Sequence, residues 1–142
     1  MNLFQSGNFV LSSGTKSNFK IDCDGLGWDD IKTLAKMISD LVGPFSSVEG
    51  IERGGLHLAE GLQEFVILPA KGGYFPHLIV DDVLTTGSSM QIRRQNYSCG
   101  LPVANYNLED GRRKVIGAVI FARGECPDWV KPLFTLNKLL YS

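Results

Sequence analysis

Leu78-Ile79-Val80-Asp81-Asp82-Val83-Leu84-Thr85-Thr86-Gly87-Ser88-Ser89 is the stretch whose meaning decides what this chain is. Leu78 to Val80 are apolar without alternation, the pattern of a strand buried on both faces, as in a parallel sheet. The strand then delivers two adjacent carboxylates, Asp81 and Asp82, and a run of small hydroxylated residues around Gly87, where the pattern predicts a helix over 88–97. Ligands of open parallel sheets sit beyond the carboxyl ends of the strands, so chemistry is expected here. Backbone N–H groups and hydroxyls of Thr85, Thr86, Gly87, Ser88 and Ser89 can converge on an anion at the positive end of that helix. The two carboxylates repel a phosphate beside them but accept hydrogen bonds from sugar hydroxyls or hold Mg²⁺. Together these groups describe a ribose phosphate. Each residue alone also reads as a strand-end turn or a helix cap; the whole string behind a buried strand is what points to a ligand.

Working outward, the chain reads as a continuous alternation of strands and helices with no internal repeat. Phe9-Val10-Leu11 and Phe19-Lys20-Ile21-Asp22 are short extended segments around a turn-rich Ser12-Ser13-Gly14, as in a small hairpin or hood. Ile31, Leu34, Ala35, Ile38, Leu41 and Val42 recur at helical spacing, and Gly43-Pro44 stops that helix. Ser47 to Ile51 reads as a strand, Glu52-Arg53-Gly54-Gly55 as a loop, and Leu56 to Glu64 as a helix. Phe65-Val66-Ile67-Leu68 is expected to be a further strand, and Lys114 to Phe121 the last one, after a polar loop from Leu101 to Arg113. Alternation of this kind with right-handed crossovers predicts an α/β fold, an open, mostly parallel sheet flanked by helices. Trp129 and Phe134 lie in a proline-containing stretch of little periodicity and are expected to pack on the core or a partner subunit.

A chain of 142 residues with 44% hydrophobic and 20% charged residues suits one domain with a real core. Fourteen Lys+Arg against fifteen Asp+Glu leave a net charge of −1, which supplies no basic field for a nucleic-acid backbone. Three cysteines, Cys23, Cys99 and Cys126, show no CxxC spacing, which favours reduced thiols over a disulfide framework or a metal site. The amino terminus lacks the basic region of an export signal, and no apolar run approaches a membrane span. A soluble cytoplasmic protein is expected, with neither nucleic acid nor membrane as partner. Neither a complete dinucleotide fingerprint nor GxxxxGK[ST] occurs, so NAD and ATP sites lack support.

The 78–89 string resembles the phosphoribosyl-pyrophosphate motif of type I phosphoribosyltransferases. That resemblance implies that Asp81 and Asp82 face the ribose hydroxyls and that Thr85, Thr86, Gly87, Ser88 and Ser89 hold the 5′-phosphate. Two further matches are similar to the orotate branch of the family. Phe9, Leu11, Ser13, Gly14, Ser17 and Asp22 resemble its amino-terminal hood signature, and Gly50-Ile51-Glu52-Arg53-Gly54-Gly55-Leu56-His57-Leu58-Ala59 its pyrophosphate loop and following helix. Ile120-Phe121-Ala122-Arg123 resembles its late strand, which ends in an arginine near the base. The resemblance implies a single domain, with a core over roughly 26–123 and a small hood over roughly 1–25 plus 124–142. It also implies a homodimer sharing its active site. On this reading Asp81 and Asp82 stabilise oxocarbenium-like charge at the anomeric carbon. Glu52, Arg53 and Gly54 take the diphosphate, Arg123 and Phe19 face the base, and Mg²⁺ arrives with the substrate near the acid pair.

The chain departs from the orotate pattern in two places. The long basic catalytic loop of that branch is reduced to Pro69-Ala70-Lys71-Gly72-Gly73-Tyr74-Phe75-Pro76-His77. Lys71, with His77 beside it, either replaces part of that loop or is a solvated turn lysine. In the hood, Ser12 stands where the branch has lysine, and its aromatic pair is reduced to Phe19 followed by Lys20. Two functions follow. One is transfer of 5-phosphoribosyl from phosphoribosyl pyrophosphate to a nucleobase, a pyrimidine such as orotate being favoured, with release of pyrophosphate. The other is a phosphoribosyltransferase-like nucleotide-binding or regulatory protein that has lost turnover with the loop.

Overall fold

The computed structural model describes residues 4–10, 16–21, 26–70, 75–99 and 115–135. Two strands, β1 (Phe4–Val10) and β2 (Lys16–Ile21), form the expected antiparallel hairpin, with Ser6 opposite Phe19. The helix α1 (Trp28–Val42) follows, burying Ile31, Ala35 and Ile38. At its start the Asp30 carboxylate accepts the Gly27 amide at 3.1 Å, and at its end the Gly43 amide closes on the Ser39 carbonyl at 3.1 Å.

The main sheet contains four parallel strands in the order β3 (Ser47–Gly50), β4 (His77–Leu84), β5 (Val115–Ala122) and β6 (Val130–Thr135). Helix α2 (Gly54–Leu62) lies between β3 and β4, and α3 (Ser88–Cys99) between β4 and β5. The inner strands divide their side chains between two cores, which is why their sequences show no alternation. On one face Leu78, Val80, Ala118 and Ile120 pack with Ala35 and Ile38 of α1 and Leu58 and Leu62 of α2. On the other Ile79, Val115 and Val119 pack with Met90 of α3 and Val130 of β6. Ile38, Leu58 and Leu62 are completely buried, each contributing on the order of 2 kcal/mol of apolar transfer energy.

Two expectations are corrected. Phe65 to Leu68 is not a strand: α2 runs into a 3₁₀ turn, Gln63–Phe65, which packs Phe65 and Val66 against the α1 side of the core. Only a short extended piece remains, with the Ile67 amide on the Phe45 carbonyl at 3.0 Å and Leu68 81% exposed, so this apolar run serves a turn rather than a ladder. The second concerns part of the carboxyl-terminal segment assigned to the hood. Val130–Thr135 is an edge strand of the main sheet, where Pro132 is tolerated because an edge strand need not donate on both sides. Trp129 packs as expected: its indole N–H donates to Gln91 at 3.2 Å, and the Arg94 guanidinium lies 4.9 Å over its ring. Among the described residues Cys126 is a free thiol, its pKa pushed up by burial, and no helix is long and apolar enough to cross a membrane.

Candidate functional site

Because the sheet is parallel, β3, β4 and β5 all leave it at the same edge. Two backbone hydrogen bonds draw their exits together: the Ile51 amide donates to Val80 at 2.9 Å, and the Arg123 amide to Leu84 at 3.0 Å. Glu52, Arg53 and Gly54 after β3, Asp81 to Ser89 at the end of β4, and Arg123 after β5 are therefore gathered along one rim.

The segment after β4 curls around a cavity of about 240 Å³ lined by Asp81, Thr85, Thr86, Gly87, Ser88 and Ser89. Gly87 makes the curl with φ of 81°, a left-handed conformation that side chains resist, and its carbonyl accepts the first helical bond of α3 from the Gln91 amide at 2.9 Å. The Thr86 and Ser88 hydroxyls lie 2.9 Å apart, and the Ser88 amide reaches Thr86 Oγ1 at 3.3 Å. No acidic residue stands in the first turn of α3, so no carboxylate there offsets the positive end of the helix. Small polar walls, hydroxyl donors and a helix amino terminus are the chemistry of a phosphate cradle.

Of the acid pair, Asp81 lines that cavity. Asp81 is pushed up to about 8, first by burial and then by the hydrogen bond and charge of Asp82. The Asp82 amide donates to Asp81 Oδ1 at 2.8 Å, which offsets part of that rise, and the Val83 amide donates to Asp82 Oδ1 at 2.7 Å. The pair thus holds fewer than two negative charges at neutral pH until hydroxyl donors or a cation approach it. Asp82 Oδ2 lies directly over Gly54, the first residue of α2, where a β-carbon would collide with the carboxylate. Gly54 is therefore a glycine for reasons of space. Just before it the Glu52–Arg53 peptide is cis, and both side chains are exposed at the rim.

Asp82 lines a second cavity, of about 260 Å³, together with Leu26, Trp28, Ile31, Gly54, His57 and Ile120. The sequence reading did not single out Trp28, His57 or Leu26 as site residues. The available signal was positional: Trp28 opens α1 one turn ahead of Ile31, in line with its apolar stripe, and His57 stands in the first turn of α2, just behind the glycine loop.

The structure thus brings together Glu52, Arg53, Gly54, Asp81, Asp82, Thr85 to Ser89 and Arg123. It does not bring His77 there, because that residue opens β4 at the opposite end of the sheet, buried beside Ser47 and Glu49. Lys71 falls outside the described residues. Phe19 is placed on β2, its side chain likewise outside the description. Among the described residues no cluster of three His, Cys, Asp or Glu side chains forms a metal cage.

No family model and no curated protein matches the chain. Solved structures do. The orotate phosphoribosyltransferase of Aeropyrum pernix superposes with a TM-score of 0.66 at 22% identity, over 97% of this chain and 90% of that one. The UMP synthase of Leishmania donovani gives 0.68 at 19% identity over 97% of this chain, which spans 34% of its length. A Mycobacterium tuberculosis orotate phosphoribosyltransferase in complex with 5-phospho-α-D-ribosyl 1-diphosphate gives 0.60 at 16% identity, over 90% and 86%. With its parallel four-stranded sheet, flanking helices and an acid pair leading into a hydroxyl loop, the chain has the fold of the type I phosphoribosyltransferases.

Proposed function

We propose that this protein transfers the 5-phosphoribosyl group of phosphoribosyl pyrophosphate to a ring nitrogen of a nucleobase and releases diphosphate. The observation that carries this reading is the placement of Asp81 and Asp82 between a phosphate-shaped hydroxyl loop and a second, largely apolar cavity. A ribose seated on the two carboxyl groups has its 5′-phosphate in the loop of Thr85, Thr86, Gly87, Ser88 and Ser89 and its anomeric carbon toward the other side. The carboxylates accept hydrogen bonds from the sugar hydroxyls. They also stabilise the positive charge that develops as the bond from C1 to the diphosphate oxygen breaks. The acceptor nitrogen forms the new bond to C1, the diphosphate leaves with the electron pair, and the N–H proton passes to it.

In this reading Arg53 and the amino terminus of α2 receive the diphosphate, and Arg123 lies on the same rim. Mg²⁺ enters this reading as part of the substrate. Two adjacent carboxyl groups at the rim fit an ion that shares its shell with diphosphate oxygens and water. Bound there, the ion offsets diphosphate charge.

The test is release of diphosphate from phosphoribosyl pyrophosphate and Mg²⁺ with a panel of bases. Turnover that falls about a hundredfold or more in Asp81→Asn plus Asp82→Asn supports transfer. Binding of the donor without release for any base supports instead a nucleotide-binding protein that has lost catalysis, a reading favoured by the short interval Pro69–His77 that stands where the orotate branch has its long basic loop. Absence of donor binding overturns both.

A further inference from the structure

Gln91 holds the turn of the phosphate cradle with its backbone and a tryptophan from another element with its side chain. Its amide donates to the Gly87 carbonyl at 2.9 Å, which joins the left-handed turn to the start of α3. Its Oε1 accepts the Trp129 indole N–H at 3.2 Å. Trp129 is itself fixed to the sheet. Its carbonyl accepts the Gly117 amide of β5 at 2.8 Å, and the Val130 amide closes the turn before β6 on the Pro127 carbonyl at 3.0 Å. Gly117 is a glycine where the sequence of β5 is otherwise apolar and bulky because a β-carbon there would come within 2.9 Å of the indole ring, Met90 and Val130. The same turn reaches the cradle a second time: a β-carbon on Gly87 would meet Leu84 at 3.7 Å and Pro127 at 3.8 Å, so the pyrrolidine ring lies beside the left-handed turn. The Arg94 guanidinium, 4.9 Å over the indole, covers one face of the ring. A continuous path of contacts thus runs from β5 through Trp129 and Gln91 to Gly87.

That path matters because α3 is a polar helix. Among its described residues only Met90 is fully buried, so apolar packing alone does little to set how the helix is aimed. Donors that receive a phosphate act best when their positions are fixed before the ligand arrives, and a displaced cradle loses affinity. Resting on the transferase reading, we infer that Trp129 is a positioning residue for the 5′-phosphate, acting through Gln91 to tie the Gly87 turn and the start of α3 to β5. Trp129 does not line the cradle itself. Its contribution therefore belongs to the affinity for the sugar phosphate and not to the breaking of the bond at C1. The indole N–H is a donor only, so the acceptor on Gln91 is required for the link, and either partner can be removed without touching the backbone bond to Gly87.

The experiment compares the wild type with Trp129→Phe, which keeps a ring beneath Arg94 and loses the donor, with Gln91→Met, which keeps the length and loses the acceptor, and with the double variant. Amide hydrogen exchange reads the link in the free protein, and calorimetry with ribose 5-phosphate reads its consequence. In each single variant the residue 91 amide should exchange at least about fivefold faster while the β4 amides keep their rates, and affinity for ribose 5-phosphate should fall about threefold to tenfold, as for loss of one hydrogen bond. The double variant should bind within about twofold of the weaker single variant, because both remove the same contact. In diphosphate release the KM for the donor should rise by a similar factor with kcat within about twofold. His77→Ala, which loosens the other end of α3, is the comparison for general destabilisation and should not move the affinity. Three results overturn the proposal: exchange at residue 91 unchanged in both single variants, wild-type affinity retained in both, or losses that multiply in the double variant. A wild type that fails to bind ribose 5-phosphate removes the transferase reading and the phosphate role with it, while the exchange rates still decide whether Trp129 holds the turn.

Discussion

The amide of Asp82 donates to Asp81 Oδ1 over 2.8 Å, and yet Asp81 keeps its proton through neutral pH because burial and the neighbouring carboxylate outweigh that bond. The consequence for stability has a definite sign. With the group moved from 3.8 to about 8, the unfolded chain gives up the proton first, so the free protein loses stability as pH rises between those values. Allowing for partial exposure, the change is on the order of 2 kcal/mol. Urea denaturation at pH 4 and pH 8 measures it: Asp81→Asn should match the wild type at the lower pH and exceed it at the higher. Parallel curves for the two proteins would refute the assignment. Ribose hydroxyls and Mg²⁺ favour the ionised carboxylate, so ligand binding at pH 7 should release protons and give a heat that varies with the buffer.

Gly87 holds the hydroxyl loop in a left-handed turn. A β-branched side chain is poorly tolerated there, and Gly87→Val should cost ~1–2 kcal/mol or somewhat more in urea melts. The larger effect is expected on ligand. The turn aims the loop amides and begins α3, so affinity for ribose 5-phosphate by calorimetry should fall more than tenfold. Affinity retained at wild-type level would mean that the phosphate sits elsewhere.

Gly54 lies against the Asp82 carboxylate, so that any β-carbon there collides with it. Gly54→Ala should displace Asp82 from over α2, at a folding cost of ~1–3 kcal/mol typical of overpacking. In the transferase reading kcat should drop at least tenfold, because the carboxylate no longer faces the anomeric carbon. Diphosphate-release kinetics check this, and an unaltered kcat would show that Asp82 acts from a different position.

The elements that a sequence discloses best are those whose residues answer to one constraint. Leu78 to Val80 are apolar because two cores need them, and the acids, Gly87 and the hydroxyls follow in a fixed order, so the hydroxyl loop and its acid pair were legible as a unit. Val130–Thr135 was not, since an edge strand with one covered side and Pro132 within it lacks both the apolar run and the alternation. Phe65 to Leu68 misled for the opposite reason: a run of apolar residues looks the same whether it joins a ladder or closes a turn over α1. Trp28 and His57 come from different helices and meet only because α1 and α2 both begin near the rim, a tertiary fact that no local spacing encodes.

His77 provides the control that separates structure from chemistry. Its ring is 7% exposed, stacked on Tyr97 with centroids 4.0 Å apart, and its Nδ1 lies 2.6 Å from the Ser47 hydroxyl. Nε2 lies 3.1 Å from Glu49 Oε1 without forming a hydrogen bond, while Arg93 holds the other carboxylate oxygen at 3.2 Å. This cluster fastens β3, β4 and α3 at the end of the sheet away from the acids, four residues along β4 or ~13 Å from Asp81 at the usual strand rise. His77→Ala empties a buried space and strips Ser47 and Glu49 of their neighbour, for an expected loss of ~2–4 kcal/mol in urea melts. Affinity for ribose 5-phosphate below the new melting transition should stay within about twofold. A His77→Ala protein that folds normally but fails to bind the sugar phosphate would show that this end of β4 communicates with the rim, and the separation of the two clusters would have to be abandoned.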